Sequence, residues 1–165
     1  MKTVHVLFFL LALVAFSACE DSTVKDPDNE GPNPDGTVAF GSFYGMCAGN
    51  QCVAFFKLQD TKLYEDTKDK YPKQAQPYEG SYDKLLDDTK YQLVKDVAVK
   101  IPAALYNETE TIIGCPDCSD GGGLYIEVNT NNTTRYWYID NNETRIPEYL
   151  RAFVTEANEK INLLR

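Results

Sequence analysis

The sequence is poor in histidine, and this scarcity excludes several kinds of chemistry. Its only histidine is His5, near the start of a 165-residue chain. If residues 1–18 are cleaved off as a signal peptide, no imidazole remains for general-base catalysis, for a Ser–His pair or for histidine ligation of a metal. The sequence also has no paired catalytic motif and no phosphate-binding loop. It therefore indicates no catalytic residue and no cofactor, and a non-catalytic protein is favoured over an enzyme.

Basic residues are also few. Sixteen Lys and Arg stand against 25 Asp and Glu, which gives a net charge of −9. Removal of residues 1–18 takes away Lys2 and no acid, so that 15 basic and 25 acidic residues leave −10. A chain this acidic repels phosphate backbones, and no basic cluster offsets the repulsion. Nucleic acid is therefore not expected as a partner.

Long hydrophobic runs are missing as well, and the longest one lies at the start of the chain. The run at 4–15 is shorter than the roughly 20 residues that a transmembrane helix needs. With Lys2 before it and the small pair Ser17-Ala18 after it, residues 1–18 are typical of a secretory signal peptide. The same pair, directly before Cys19, resembles the lipobox of bacterial lipoproteins. The resemblance implies cleavage before Cys19, lipidation of its sulfur and attachment to a membrane through that lipid; an ordinary signal peptide with a chance cysteine is the alternative.

The chain then divides into a tether and a domain. Residues 19–36 comprise the lipidated cysteine and an acidic segment rich in Pro and Gly, with no large aliphatic residue beyond Val24. Such a segment cannot bury enough apolar surface to fold, and its prolines favour an extended spacer. Acidic residues directly after the cysteine resemble the signals that send Bacteroidetes lipoproteins to the cell surface, although a plain acidic spacer is an alternative. Residues 37–165 are long enough for one domain with its own core.

The domain shows five strand signals. Residues 38–44 and 52–58 are rich in β-branched and aromatic residues and are joined by a Gly-containing loop, so they predict two adjacent strands, and 62–65 predicts a short third one. Because 52–58 is apolar at nearly every position, we expect it to be covered on both faces. Residues 124–128 and 135–139 flank an Asn/Thr turn and predict a hairpin.

Two helices complete the predicted fold. One is expected after Asp87, with an apolar stripe that ends before Pro102, although 91–94 is also compatible with a strand. The other begins near Pro147, and residues 67–82 between the strands and the first helix predict an ordered, irregular loop. The expected fold class is α+β, a mainly antiparallel sheet of hairpins with two helices packed on one face. The apolar stripes are Leu93, Val94, Val97 and Ile101 for the first helix, and Leu150, Phe153, Val154, Ala157, Ile161 and Leu164 for the second.

The five cysteines form an odd number, which the lipidation of Cys19 would explain. The remaining four, Cys47, Cys52, Cys115 and Cys118, suit two structural disulfides in an oxidising envelope. Three pairings are open. Local pairing closes only small loops, whereas crossed pairing would restrict the unfolded chain more, by about 2–4 kcal/mol per bridge.

Two further hypotheses concern the same sulfurs. Cys115 and Cys118 form a Cys-x-x-Cys motif, which in redox proteins lowers the pKa of one thiol, usually at the start of a helix. Here the glycines at 121–123 follow, so a helix is not expected. Alternatively, all four thiolates bind zinc or iron, since Cys-Pro-x-Cys resembles the knuckle of rubredoxin-type sites; the spacing of Cys47 and Cys52 does not match such a knuckle.

Several of these elements together resemble a known group of proteins. They are Cys47-x4-Cys52, the segment 63–66, and Gly-Cys-Pro-Asp-Cys at 114–118 followed by glycines at 121–123. This order resembles a group of small Bacteroidetes lipoproteins of unknown function over most of residues 40–164. The resemblance implies an organism class and a cell-envelope location, and it implies no activity.

Two weaker patterns concern ligands. Acidic side chains beside the glycine run suggest calcium, but their spacing matches no known calcium loop. Alternating aromatics on the predicted hairpin suggest a platform for a glycan or a peptide, although sheet packing explains them first. The acids are Asp117, Asp120 and Glu127, and the aromatics are Tyr136, Trp137 and Tyr138 together with Tyr71, Tyr78 and Tyr82.

The sequence thus predicts a cell-envelope protein that is anchored through Cys19, most simply in the outer membrane and facing either the periplasm or the exterior. We expect a non-catalytic binding or structural module whose partner is an envelope protein or a glycan of unspecified identity. The alternative is a thiol–disulfide oxidoreductase or a four-cysteine metal protein that uses Cys115 and Cys118.

Overall fold

The computed structural model describes residues 36–48, 52–131 and 133–165, which make up nearly all of the predicted domain. The predicted signal peptide, Cys19 and the tether up to residue 35 lie outside the described residues. In the ranges that are described, no helix is both long enough and apolar enough to cross a membrane.

A seven-stranded sheet forms the centre of the fold. Its spatial order is β4-β3-β2-β1-β6-β7-β5, and all neighbours are antiparallel except β5 and β7, which run parallel. The five predicted strands are confirmed, and the two unpredicted ones are two-residue strands at the edges of the sheet. The strands are β1 (Thr37–Phe43), β2 (Val53–Gln59), β3 (Lys62–Glu65), β4 (Lys84–Leu85), β5 (Ile112–Ile113), β6 (Gly123–Thr130) and β7 (Thr133–Asp140).

Two α-helices pack on one face, as the sequence predicts. Helix α2 (Glu148–Leu164) buries all six residues of its predicted apolar stripe. Helix α1 (Asp88–Val94) begins where expected, with the Asp87 carboxylate accepting a hydrogen bond from the Lys90 N–H, but it ends after seven residues. The chain continues in turns as far as residue 100, so the predicted stripe is only partly right: Leu93 is 40% exposed, while its other three members are buried.

The sheet is covered on both faces, which confirms the expectation for the second strand: Phe55 and Phe56 are 0% and 2% exposed and point to opposite sides. The helices cover one side. The other side is covered by residues 67–83, which connect β3 to β4 without a helix and are called the β3–β4 segment below. The fold class is therefore α+β, with an irregular segment where a second helical layer would otherwise lie.

Tyrosine hydroxyls from the sheet hold the β3–β4 segment by its backbone. The Tyr125 hydroxyl accepts a hydrogen bond from the Tyr78 N–H (2.9 Å), and the Tyr138 hydroxyl donates to the Gln76 carbonyl (3.0 Å). Asp66, which directly follows β3 and is 1% exposed, accepts hydrogen bonds from the Tyr78 hydroxyl and from the Ser81 N–H. Because its backbone groups find partners on the sheet, the segment is ordered without regular structure.

Candidate functional site at the disulfide end of the sheet

One end of the sheet gathers both cysteine pairs. Strand β1 ends there, β2 and β6 begin there, and the parallel strands β5 and β7 end there, as their registers require. The connections at this end, residues 44–48, 52 and 114–122, are called the disulfide end below. The Met46 side chain is 79% exposed there.

The first disulfide closes the connection between β1 and β2. Cys47 and Cys52 are bonded to each other, with their Cα atoms 5.4 Å apart. The Tyr44 N–H donates to the Cys52 carbonyl (2.8 Å), one step beyond the last residue pair of the ladder. The bridge therefore fastens the loop directly outside the hairpin.

The second disulfide lies within a turn before β6. Cys115 and Cys118 are bonded, with Cα atoms 5.4 Å apart, and the Cys118 N–H donates to the Cys115 carbonyl (3.0 Å). Pro116 occupies the second position of this turn, and Asp117 occupies the third with φ +63°, as in a type II turn. Of the three pairings that the sequence left open, the structure has the local one: the turn at 115–118 places the second pair side by side, and the hydrogen bond from Tyr44 to Cys52 brings together the two sides of the first connection.

Asp117 joins three segments at the disulfide end. Its Oδ2 accepts hydrogen bonds from the Gly45 N–H (2.8 Å) and the Tyr71 hydroxyl (2.7 Å), and its Oδ1 accepts one from the Gly122 N–H (3.0 Å). Gly122 has φ +70°, and a Cβ there would lie 2.2 Å from the Tyr44 ring, so this position requires glycine. One carboxylate thus ties the first disulfide loop, the second disulfide loop and the β3–β4 segment together.

The contact with Asp117 changes the acidity of Tyr71. Partial burial and the hydrogen bond to the Asp117 carboxylate raise the pKa of Tyr71 to about 12. The phenol therefore stays protonated and able to donate this hydrogen bond across the physiological pH range.

Asp140 fixes the approach to the second disulfide. Asp140 is the last residue of β7 and is 1% exposed. Its carboxylate accepts hydrogen bonds from the Cys115 N–H (3.0 Å) and the Asn142 N–H (2.8 Å). The Arg145 guanidinium lies 3.7 Å from its Oδ2. Gly114 has φ +77°, and a Cβ there would lie 2.7 Å from the Asp140 Cβ, so this approach too requires glycine.

These surroundings bear on the reactivity of the second cysteine pair. The carboxylates of Asp117 and Asp140 lie beside it, and nearby negative charge disfavours a thiolate. The chain continues from Cys118 into a three-residue 3₁₀ turn, so no α-helix N-terminus stabilises a thiolate. Cys115 is exposed and is therefore accessible to a reductant. The geometry favours a stable bridge over an activated thiol.

The structure does not gather the predicted metal ligands. Bonded in two separate pairs, the four cysteines have no free thiolates for a four-sulfur site. Asp117 is engaged by backbone and tyrosine donors, and Glu127 accepts from the Tyr125 hydroxyl on the sheet face. Across the described ranges, no three His, Cys, Asp or Glu side chains are arranged to hold a metal ion.

The aromatic residues are divided between the two faces of the sheet. Trp137 is 1% exposed in the core beneath the helices, whereas Tyr138 is buried on the opposite face, where Tyr78 of the β3–β4 segment packs in the same cluster. Of the aromatics in the predicted platform, Tyr71 is 47% exposed, and it lies at the disulfide end. Most of this set therefore packs the sheet.

Sequence reasoning missed the carboxylates that organise these loops. The sequence patterns include Asp66 and Asp117 in the resemblance and Asp117 among the calcium candidates, but they assign no structural role to either residue and none to Asp140. The available signal was their position: Asp66 and Asp140 stand where a strand ends, and Asp117 stands in a Pro-containing turn, where short acceptors bond nearby N–H groups.

Comparison of the chain with protein-family models, with curated proteins and with solved structures finds no match.

Proposed function

We propose that this protein is a lipid-anchored component of a bacterial cell envelope, located in the outer membrane, and that it acts as a non-catalytic binding or structural module. The location is supported by Ser17-Ala18 before Cys19, by the acidic tether up to residue 36, and by the resemblance to small Bacteroidetes lipoproteins. The tether would hold the domain away from the membrane surface.

The observation that carries the binding role is the pre-organisation of the disulfide end. Two local bridges and the Asp117 carboxylate hold three loop segments in one arrangement. A surface that is already ordered loses less conformational entropy on binding, so more of its contact energy appears as affinity. Met46 and Tyr71 offer exposed side chains on this ordered surface.

The anchor is tested by Cys19→Ala, with Ser22→Ala in the tether as the matched control. After lysis and ultracentrifugation, the wild-type chain and the control are expected in the membrane fraction. The Cys19→Ala chain is expected in the supernatant, because one sulfur carries the lipid. Equal membrane retention of all three chains would show that the anchor is elsewhere.

The binding role is tested by photo-crosslinking in the cells that produce the protein. A photo-reactive phenylalanine analogue replaces Met46 in one strain and Leu85, which is 56% exposed on the edge strand β4, in the control strain. We expect a discrete crosslinked species from position 46 and none from position 85. Identical patterns from both positions, or none from either, would contradict a binding surface at the disulfide end.

A second candidate function uses the exposed Cys115 and its partner Cys118 for thiol–disulfide exchange. This function is supported by the exposure of Cys115 and by the small size of the loop that the bridge closes. It is disfavoured by the neighbouring carboxylates, because negative charge destabilises a thiolate. A four-cysteine metal site would additionally require both bridges to be reduced.

A further inference from the structure

The β3–β4 segment forms an open pocket beside the disulfide end, called the cavity below. Its volume is about 230 Å³. This lies below the usual size of about 300–1,000 Å³ for pockets that hold drug-like ligands. The cavity therefore suits one ring-sized group. Residues that line it include Lys68, Lys70, Tyr71, Lys73, Gln76 and Glu79.

The walls of this cavity are held in place. Tyr78 lies in its wall and is buried, with its hydroxyl donating to Asp66 (2.6 Å) and its N–H donating to the Tyr125 hydroxyl (2.9 Å). On the other side, the Tyr71 hydroxyl is bonded to Asp117, which belongs to the second disulfide loop. The cavity is thus formed before any ligand arrives, which lowers the entropic cost of binding.

Positive side chains outnumber negative ones in the lining of the cavity, while Asp66 and Asp117 lie behind its walls and accept hydrogen bonds from Tyr78 and Tyr71. Lys68, Lys70 and Lys73 are exposed, and in the part of the chain that the structure describes, none has a carboxylate oxygen within 4.0 Å. The acid in the lining is Glu79, whose carboxylate accepts from the Gln76 side chain (3.5 Å). Three cations against one anion are unusual on a chain whose net charge is −9. A ligand for this cavity therefore carries a negative group, while the overall charge disfavours a dense polyanion.

The remaining lining adds a second requirement. The Tyr71 ring is 47% exposed, and Pro77 presents a second flat, apolar surface. Gln76 and Glu79 supply amide and carboxylate groups that hydrogen-bond hydroxyls. Flat apolar walls combined with polar groups and cations match a ring that has an apolar face, several hydroxyls and one carboxylate.

We propose that this cavity binds a sugar acid as the terminal or internal unit of an acidic saccharide. The lysines contact the carboxylate, Tyr71 and Pro77 pack against the C–H face of the ring, and Gln76 and Glu79 bond its hydroxyls. The inference rests on the proposed function as a binding module, and it names the class of ligand.

The test is calorimetric titration of the protein produced from the full sequence. The probe is a trisaccharide of galacturonate, with the neutral galactose trisaccharide and sodium acetate as comparisons. We expect the uronate to bind, and we expect both comparisons to bind at least about tenfold more weakly, which is one decade in Kd. Affinity for the uronate should also fall as salt is added, since exposed charges are screened.

A matched pair of variants locates the site. Lys68→Gln, Lys70→Gln and Lys73→Gln together are expected to weaken uronate binding by about tenfold or more, because each exposed charge contact is modest and three are lost. The control triple removes the same charge at exposed positions elsewhere: Lys62→Gln, Lys95→Gln and Arg151→Gln. The control triple should bind like the wild type, and both triples should keep the wild-type Tm.

Three outcomes would overturn the inference: no uronate binding by the wild type at about 10 mM ligand, equal binding of the neutral trisaccharide or acetate, or equal loss in both triples. The crosslinking at position 46 separates this failure from that of the proposed function. If position 46 gives a crosslinked species but the protein does not bind uronate, the proposed ligand class is wrong and the proposed binding function is retained. If there is neither a crosslinked species nor uronate binding, both proposals are refuted.

Discussion

The Asp117 carboxylate provides the sharpest test of how the disulfide end is held together. Asp117→Asn preserves the shape of the side chain and tolerates the left-handed backbone, so the change isolates the charge and one acceptor. In its better orientation, the amide oxygen keeps the contacts with the Gly45 N–H and the Tyr71 hydroxyl. The amide NH₂ then faces the Gly122 N–H, where two donors meet.

The magnitude follows from these three contacts. Hydrogen bonds to a charged acceptor contribute about 1.5–3 kcal/mol and neutral ones about 0.5–1.5 kcal/mol, so one lost bond and two weakened ones sum to a few kcal/mol at most. Because Asp117 is only partly buried, water compensates some of the loss. We expect the free energy of unfolding to fall by about 1–3 kcal/mol and Tm by roughly 4–10 °C for a domain of this size.

The assay is urea unfolding followed by the fluorescence of Trp137, which is the only tryptophan and is 1% exposed. Asp120→Asn is the matched control: Asp120 lies in the same connection, has φ +59° and is exposed. The control should change stability by less than about 0.5 kcal/mol, as surface substitutions usually do. A double-mutant cycle with Tyr71→Phe should show coupling, because Tyr71 shares the Asp117 carboxylate. Equal effects of the two Asp→Asn changes, or no coupling with Tyr71, would refute the role assigned to Asp117.

Three further predictions concern the titration of tyrosines and the second disulfide. Burial, as the largest cause, raises the pKa of Tyr71 to about 12 and also raises the pKa of Tyr78 and Tyr125, so folded values lie above the unfolded value near 10. Their contribution to stability is complete below pH 10 and falls as the pH rises above 10; that of Tyr71 is lost as the pH passes about 12, whereas Tyr78 and Tyr125 lose theirs at still higher pH. Tyrosinate absorbance and urea unfolding at several alkaline pH values check this, and stability that is constant from pH 10 to 12 contradicts it. Replacing both Cys115 and Cys118 with Ser should lower the free energy of unfolding by about 2 kcal/mol, the chain-entropy value for so small a loop. The wild-type protein should not reduce insulin, because no α-helix N-terminus follows Cys118 and the Asp140 carboxylate bonds the Cys115 N–H. Turnover that disappears in the double variant would establish the oxidoreductase instead.

Local sequence patterns were sufficient to predict the helices and strands whose hydrophobic spacing and turn residues lie within one continuous stretch of the chain. Helix α2 was predictable because six apolar residues recur at helical spacing, and all six are buried. The hairpin of β6 and β7 was predictable because two aromatic and β-branched runs flank a turn-forming segment. Helix α1 was only partly predictable, since a chain that continues in turns after Val94 buries Val97 and Ile101 almost as a longer helix would.

Tertiary structure decided which of these elements meet. The pairing of β1 with β6 joins the first three strands to the C-terminal hairpin, and no local signal specifies it. The cysteine pairing was open in the sequence because compartment and spacing allow every arrangement, whereas the folded chain places the cysteines of each local pair within bonding distance.

The composition by itself determined that this chain has little histidine, a strong negative charge and cysteines suited to bridges. It could not determine that Asp117 would meet Gly45, 72 positions away, or that Tyr125 would hold Tyr78 across 47 positions. Hydrogen-bond partners so distant along the chain are chosen only when the packed sheet brings them within 3 Å, and that choice is what builds the disulfide end and its neighbouring cavity.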